Sequence, residues 1–304
     1  MTVTWSGVFP ALTTQFHPDE SLDLDSTARH LERLIGSGIH GVILLGSVGE
    51  NTAHDYEEKL LLLRELKAAV RGRIPVLSGV AEFTTAAACR YARDCERIGI
   101  DGLMVLPAMV YPADRREAIA HFRSVARACS LPVMIYNNPP SYQVDVTPDM
   151  FRELAEEPNI VAIKESSGDP RRITDLINEL EGRFLLFCGV DDLVLESVML
   201  GATGWVSGLA NAFPEENRVL WELIQAGRWT EARQLYRWYT PLLHLDTKPK
   251  LVQYIKLCMA ETGLGSETTR APRLRLEGAE RDQVLQVIRR ALATRPDLKV
   301  YSQQ

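Results

Sequence analysis

A chain of 304 residues with 46% hydrophobic and 24% charged residues has ordinary globular composition and should bury roughly three quarters of the surface its unfolded form exposes, which excludes general disorder. Its net charge of −6 and the lack of a basic stripe, the nearest runs being Arg171-Arg172 and Arg289-Arg290, argue against nucleic-acid binding. No stretch approaches the ~20 apolar residues of a membrane span. Met1 to Trp5 carry neither a basic segment nor a long apolar run, and five cysteines without a C-x-x-C pair argue against zinc or a disulfide framework. The expectation is a cytoplasmic protein without metal.

In chain order, the apolar run 7–16 predicts a first strand. Leu24, Ala28, Leu31, Leu34 and Ile35 then share one helical face, which Gly36 and Gly38 can end. A second strand is predicted over 41–46. Asp55 and Glu58 follow at capping-box spacing before the Leu60–Val70 helix. Strands over 75–80 and 101–107 come next, then a helix with the stripe Ala118, Phe122, Val125, Cys129. The runs 132–137, 160–165, 184–190 and 203–209 complete eight strands. Thr147-Pro148 and Asp169-Pro170 each place a capping side chain before proline at a first helical position. After about residue 228 the pattern changes to three helices, Trp229 to His244, Lys250 to Glu261 and Glu280 to Ala293.

Continuous apolar strands suit a parallel sheet covered on both faces. Eight of them alternating with helices predict a (β/α)₈ TIM barrel over residues 1–228, with a C-terminal helical region over 229–304. A doubly wound sheet is the alternative from pattern alone. It would carry a Gly-rich loop after the first strand, where this chain has His17-Pro18-Asp19-Glu20.

In such a barrel the site lies at the C-terminal strand ends. Lys164 stands within the apolar strand Ile160–Glu165, where a lysine is seldom buried without a reason. Desolvation would lower its pKa and free the amine to attack a carbonyl. A structural lysine paired with a carboxylate across the barrel is an equal reading of the same residue. Tyr136 closes the 132–137 strand, either as a core phenol or as a proton relay. The loop Gly46-Ser47-Val48-Gly49-Glu50 offers backbone N–H groups and a hydroxyl to a carboxylate.

Together these motifs resemble the dihydrodipicolinate synthase / N-acetylneuraminate lyase family of class I aldolases. Gly46-Ser47-Val48-Gly49-Glu50 is similar to its carboxylate loop, Tyr136-Asn137-Asn138-Pro139 to its Y-N-x-P, and Ile163-Lys164-Glu165-Ser166 to its Schiff-base strand. Gly201-Ala202-Thr203-Gly204 with Ser207 is similar to its strand-eight motif. The resemblance implies an imine on Lys164, general acid/base work by Tyr136, and carboxylate binding by Ser47. Tyr111, at a spacing one residue longer, resembles a tyrosine that family members insert into a neighbouring subunit's site. Val48, Gly49, Ser166, Asp191, Val206 and Ser207 are the candidate substrate contacts. The family is typically tetrameric and needs no metal or organic cofactor, so a homotetramer acting on a 2-oxo acid or cyclic imine is expected.

Two departures bear on the substrate. Val48 replaces the second hydroxyl of the loop. Pro140-Ser141-Tyr142 follows Pro139 where lysine-pathway synthases place an arginine. The segments Met109-Val110-Tyr111 and His244 to Lys256 resemble 1-pyrroline-4-hydroxy-2-carboxylate deaminases of hydroxyproline breakdown. That makes a deaminase releasing ammonia and 2,5-dioxopentanoate the first expectation. The alternatives are a 4-hydroxy-tetrahydrodipicolinate synthase, a 2-keto-3-deoxy sugar acid aldolase or dehydratase, an N-acetylneuraminate lyase, or a non-catalytic ligand-binding barrel.

Overall fold

The computed structural model describes residues 3–301; Met1 and Thr2, part of the N-terminal segment considered above, lie outside them. Eight parallel strands form: β1 Gly7–Pro10, β2 Val42–Leu44, β3 Val76–Val80, β4 Gly102–Val105, β5 Val133–Asn137, β6 Ile160–Glu165, β7 Leu185–Cys188 and β8 Gly204–Ser207. They are hydrogen-bonded in the order β1-β8-β7-β6-β5-β4-β3-β2. Bonds from the Leu12 amide to the Ile43 carbonyl (2.9 Å) and from His40 to Val8 (3.0 Å) bring β1 against β2 and close the circle. The expected (β/α)₈ barrel is what the chain forms, each strand within or close to its predicted apolar run.

The helices, in order, are α1 Leu24–Gly36, α2 Tyr56–Val70, α3 Thr85–Ile98, α4 Arg115–Arg127, α5 Pro139–Tyr142, α6 Pro148–Leu154, α7 Arg171–Leu180, α8 Val194–Met199, α9 Pro214–Gln225, α10 Trp229–Leu243, α11 Leu251–Thr262 and α12 Gly278–Ala293. Asp55 accepts from the Glu58 amide at 2.8 Å and Glu58 accepts from the Asp55 amide at 3.2 Å, so both halves of the α2 capping box form. Thr147 caps differently from expectation. Its hydroxyl turns to the Asp149 carboxylate and makes no capping bond to α6. Asp169 sits one position before the cap of α7 and holds Arg171 through both amide and guanidinium. In each case a carboxylate is the acceptor, of the Thr147 hydroxyl hydrogen and of the Arg171 donors.

Strand side chains alternate between the barrel interior and the surrounding helices. Phe9, Ile43, Leu77, Met104, Met134, Ala162, Phe187 and Val206 face the interior, while Val8 and Trp205, paired with each other, face outward toward the helices that follow β8. Val42, Leu44, Val76, Leu103, Val105, Val133, Ile135, Ile160 and Ile163 face the surrounding helices. The apolar cluster that holds the interior residues, Val8 and Trp205 also takes in Leu235, Tyr239, Leu243, Ile255 and Met259 from α10 and α11. The C-terminal helices therefore share the barrel's apolar cluster. One irregularity matters. Val133 pairs with Ile160, but the next residue, Met134, pairs with Ala162. The extra residue, Val161, breaks the period of two. Ile160 faces the helices and Ala162 the interior, which puts Lys164, two residues on, on the interior side as well.

The tail is also joined to the β2–α2 loop by charge. Lys256 of α11 is fully buried, with its Nζ donating to Glu50 Oε1 at 2.5 Å and to the Thr268 carbonyl at 2.8 Å. The Arg270 amide reaches the other Glu50 oxygen at 3.1 Å, and the Arg270 side chain clasps Glu58. Lys256→Met would leave the buried Glu50 carboxylate with only the more distant Arg273 guanidinium, 3.9 Å away, as a cation. That is expected to cost about 3–5 kcal/mol, read as a lowered urea midpoint at unchanged slope. A loss under about 1 kcal/mol, the range of an exposed pair, would mean that the pair does not hold the tail in place.

Candidate active site

Lys164 is 6% exposed and sits on β6 in register with Tyr136 on one side and Phe187 on the other. Its Nζ lies over the Tyr136 ring, 3.8 Å from the centroid. Gly189, just past β7, makes room for it. A Cβ there would fall 2.1 Å from Ser166 Oγ and 2.7 Å from Lys164 Cγ. No carboxylate lies within ion-pairing distance of Lys164 among the described residues. Asp191, the nearby buried acid, is committed elsewhere: it accepts from Trp205 Nε1 (2.8 Å), Ser207 Oγ (3.1 Å) and the Leu209 amide (2.9 Å). Burial lowers the Lys164 pKa against the opposing fields of Tyr142, Asp246 and Asp191. The amine is therefore buried at the cavity wall, with an aromatic face beneath it and no paired carboxylate among the described residues.

The loop after β2 is held in a strained shape. Leu45 and Glu50, both non-glycine, adopt left-handed φ of 52° and 56° at its two ends. Asn51 Nδ2 donates to the Leu45 carbonyl at 2.7 Å, and Thr14 Oγ1 donates to the Gly49 carbonyl at 2.9 Å. Gly49 itself meets backbone closely, for a Cβ would lie 2.9 Å from the Leu12 carbonyl oxygen. The amides of Ser47, Val48 and Gly49 find no acceptor among the described residues. Successive free N–H groups in a tight turn make a concavity for an anion.

At the end of β5, Asn138 caps the single turn α5 and donates from Nδ2 to the Tyr136 hydroxyl at 2.9 Å. Proline at the first two positions of that turn carries Tyr142 back over the strand end. The Tyr142 and Tyr136 rings meet edge to face, with centroids 5.7 Å apart. The Tyr142 hydroxyl lies 2.5 Å from Ser47 Oγ. Burial pushes the Tyr136 phenol up to about 12 and the Tyr142 phenol up as well. Both are proton donors at neutral pH, and the hydroxyls of Tyr142 and Ser47 form one link of a relay.

These groups line one cavity of about 630 Å³. The structure brings Lys164, Tyr136, Ser47, Val48, Ser166 and Val206 together there. Ser166 Oγ is buried and finds no partner among the described residues. Gly49, Ser207 and Asp191 stand behind the wall. Ser207 is fully buried, giving its hydrogen to Asp191 and accepting from Asn217 Nδ2 at 2.7 Å; with Asp191 it fixes the end of β8. Tyr111 is not brought into this chain's cavity. It is 60% exposed, with its hydroxyl on Glu117 at 3.1 Å. Sequence reasoning passed over Tyr142, Asn138 and Asp246, all of which line the cavity. The Asn-Pro-Pro cap was the available signal for Tyr142, since it starts a turn whose end must return over β5.

The family described as dihydrodipicolinate synthetase matches residues 4–291. A 4-hydroxy-tetrahydrodipicolinate synthase of Methanospirillum hungatei is 34% identical over 241 residues, 78% of this chain and 82% of that protein. The solved 4-hydroxy-tetrahydrodipicolinate synthase of Methylacidiphilum fumariolicum has a TM-score of 0.89 at 30% identity, covering 98% of this chain and 99% of that one. A prophage protein of the dihydrodipicolinic acid synthase family from E. coli K12, solved in complex with pyruvate, has a TM-score of 0.90 at 25% identity, covering 95% of this chain and 99% of that one. None of these three carries the deaminase name that the tail segment suggested.

The lowered pKa of Lys164 has a direct chemical consequence. A lowered pKa keeps a larger fraction of the amine neutral as pH falls below the 10.5 of an ordinary lysine. Competitive acylation across pH, read by peptide mass, is expected to give Lys164 an apparent pKa below that value. One at or above it would show that the amine is hydrated or paired.

Proposed function

The chain belongs to the dihydrodipicolinate synthetase family, and on that premise we propose that it is a class I aldolase-type lyase whose Lys164 forms a Schiff base with a small 2-oxo acid of the pyruvate class. The observation that carries this reading is the buried Lys164 amine, unpaired among the described residues, in one cavity with the free amides of the Ser47–Gly49 loop. The substrate carboxylate sits against those amides and the Ser47 hydroxyl. The neutral amine attacks C2 and gives a carbinolamine. A proton moved through Tyr136, with Tyr142 and Ser47 beside it, lets the hydroxyl leave as water and closes the imine. The cationic imine acidifies C3, and the Tyr136 phenolate left by the loss of water takes the C3 proton, leaving a neutral enamine that can attack an aldehyde or expel a group from C4.

The names of the relatives favour the enamine's condensation with an aldehyde, as in 4-hydroxy-tetrahydrodipicolinate synthase. The second reading is the deaminase. Its support is the absence of an arginine at Pro140-Ser141-Tyr142, where a second substrate's carboxylate would need one. A panel decides between them: pyruvate with aspartate semialdehyde, set against ammonia release from 1-pyrroline-4-hydroxy-2-carboxylate. A sugar-derived 2-oxo acid giving pyruvate would place the protein with the aldolases. A homotetramer belongs to the same proposal. Val110 is 87% exposed and held at a φ of 74°, which a β-branched residue rarely adopts, and with Tyr111 beside it forms an apolar rim suited to a neighbouring subunit. A cytoplasmic location accompanies it, since all five cysteines are free thiols, as a reducing compartment keeps them.

Borohydride reduction in the presence of pyruvate is expected to add one covalent adduct to the wild-type protein and none to Lys164→Ala. No adduct on the wild type sinks the Schiff-base reading, and an adduct that persists in Lys164→Ala moves it to another lysine. Tyr136→Phe is expected to keep the fold and slow turnover on the physiological substrate by about two orders of magnitude, as loss of a general acid/base does. Turnover within a few-fold of wild type would remove Tyr136 from the proton path.

A further inference from the structure

We propose that Asp246 recognises a hydrogen-bond-donating substituent, a hydroxyl or an ammonium, on the part of the substrate that lies beyond the Schiff-base carbon. The inference rests on the Lys164 reading above and adds the chemistry of the rest of the molecule. The cavity has two unlike walls. The wall near β2 and β5 offers amides and hydroxyls, groups suited to the 2-oxo acid's own carboxylate. The facing wall comes from the C-terminal segment, through Asp246, Thr247, Lys248, Pro249 and Leu251. Asp246 is the one carboxylate among the described residues that line the cavity.

Its position is built. The turn His244–Thr247 is tied to the end of β7 by His244 Nδ1 and Asp192 Oδ2 at 2.6 Å. Leu245 is buried, and Thr247 Oγ1 closes the turn on the His244 carbonyl at 3.0 Å. The Asp246 carboxyl then lies directly over Gly208, where a Cβ would stand 2.3 Å from Oδ1. Gly208 has an ordinary φ of −81°, so space, and not backbone conformation, calls for glycine there. The carboxyl finds no donor among the described residues, in contrast to Asp191 with its three. It lies close enough to Lys164 for each to act on the other's charge state. An acceptor aimed into the cavity without a partner of its own is satisfied by water or by a donor on the ligand. A carboxylate placed against Asp246 itself would be repelled, and with Lys248 on the same wall it would be drawn away from that point, which leaves the Asp246 position to a hydroxyl or an ammonium.

Competitive borohydride trapping tests this, with 2-oxobutyrate against 4-hydroxy-2-oxobutyrate in one arm and against 4-amino-2-oxobutyrate in the other. The readout is the ratio of adducts by intact mass. The wild type is expected to favour the donor-bearing acid in one arm, and that arm names the substituent. Asp246→Val is expected to lower that ratio at least about tenfold, the worth of one hydrogen bond to a charged group. Asp246→Asn keeps the shape and one acceptor oxygen. It should keep part of a hydroxyl preference and lose an ammonium preference, and it carries the test if valine disturbs the turn. A wild type that prefers 2-oxobutyrate in both arms, or a ratio that stays within about twofold of wild type in both variants, less than such a bond is worth, overturns the inference and leaves the Schiff-base reading standing. A wild type that traps no 2-oxo acid at all overturns both.

Discussion

A primary amine can attack a carbonyl at neutral pH only if it is kept from holding its proton, and the structure around Lys164 is arranged to that end. Burial alone would draw a counter-ion toward it, since a lone buried ammonium costs several kcal/mol. Asp246 and Asp191 both act on its charge, but neither pairs with it among the described residues, and Trp205, Ser207 and the Leu209 amide take up the oxygens of Asp191. The Tyr136 ring beneath Nζ offers the cationic form a weaker partner than a carboxylate would. The amine can therefore change charge without breaking a strong pair. Gly189 leaves the volume the lysine stem needs, and the irregular pairing at Val161 puts that stem inside the barrel.

The second element of the site is the loop of free amides, and its shape is sustained from a distance. Left-handed φ at Leu45 and Glu50 stores strain that local contacts alone would relax. Asn51 holds one end, and the buried Glu50–Lys256 pair holds the other to α11. The C-terminal helices are thus part of the candidate site as well as a cover. They brace the anion-binding turn through Lys256, and they supply the acidic wall through Asp246. The same twelve-residue helix, Leu251–Thr262, joins the two functions, since it follows the Asp246 turn and carries Lys256.

Much of the fold was legible in the sequence because it rests on local and periodic signals. The α2 capping box needed only Asp55 and Glu58 three residues apart, and the eight strands needed only runs of branched apolar residues. Thr147 shows the limit, for its hydroxyl donates to Asp149 and its oxygen caps no amide of α6, an orientation that spacing does not set. In the site, Lys164, Tyr136 and Ser47 could be named because each sits in a motif at a strand end. Ser207 and Asp191 stand at strand ends too, but they bond to each other and not into the cavity. Tyr142 and Asp246 could not be found this way. One reaches the cavity by a turn that folds back over β5, the other from a helical segment some eighty residues beyond Lys164.

The sequence by itself determined the barrel and the order of its elements, and it singled out Lys164 as the candidate nucleophile, because hydrophobic period and short motifs act over a few residues. Only the tertiary structure decided that the lysine has no paired carboxylate among the described residues, that Tyr142 stands beside Ser47, and that an acid closes the far side of the cavity. Those outcomes depend on which of several competing partners each polar group meets when strands far apart in the chain are brought side by side. Asp191 could have paired with Lys164 or with Trp205 and Ser207 on the evidence of the chain alone. Packing chose the latter, and with it left the amine free.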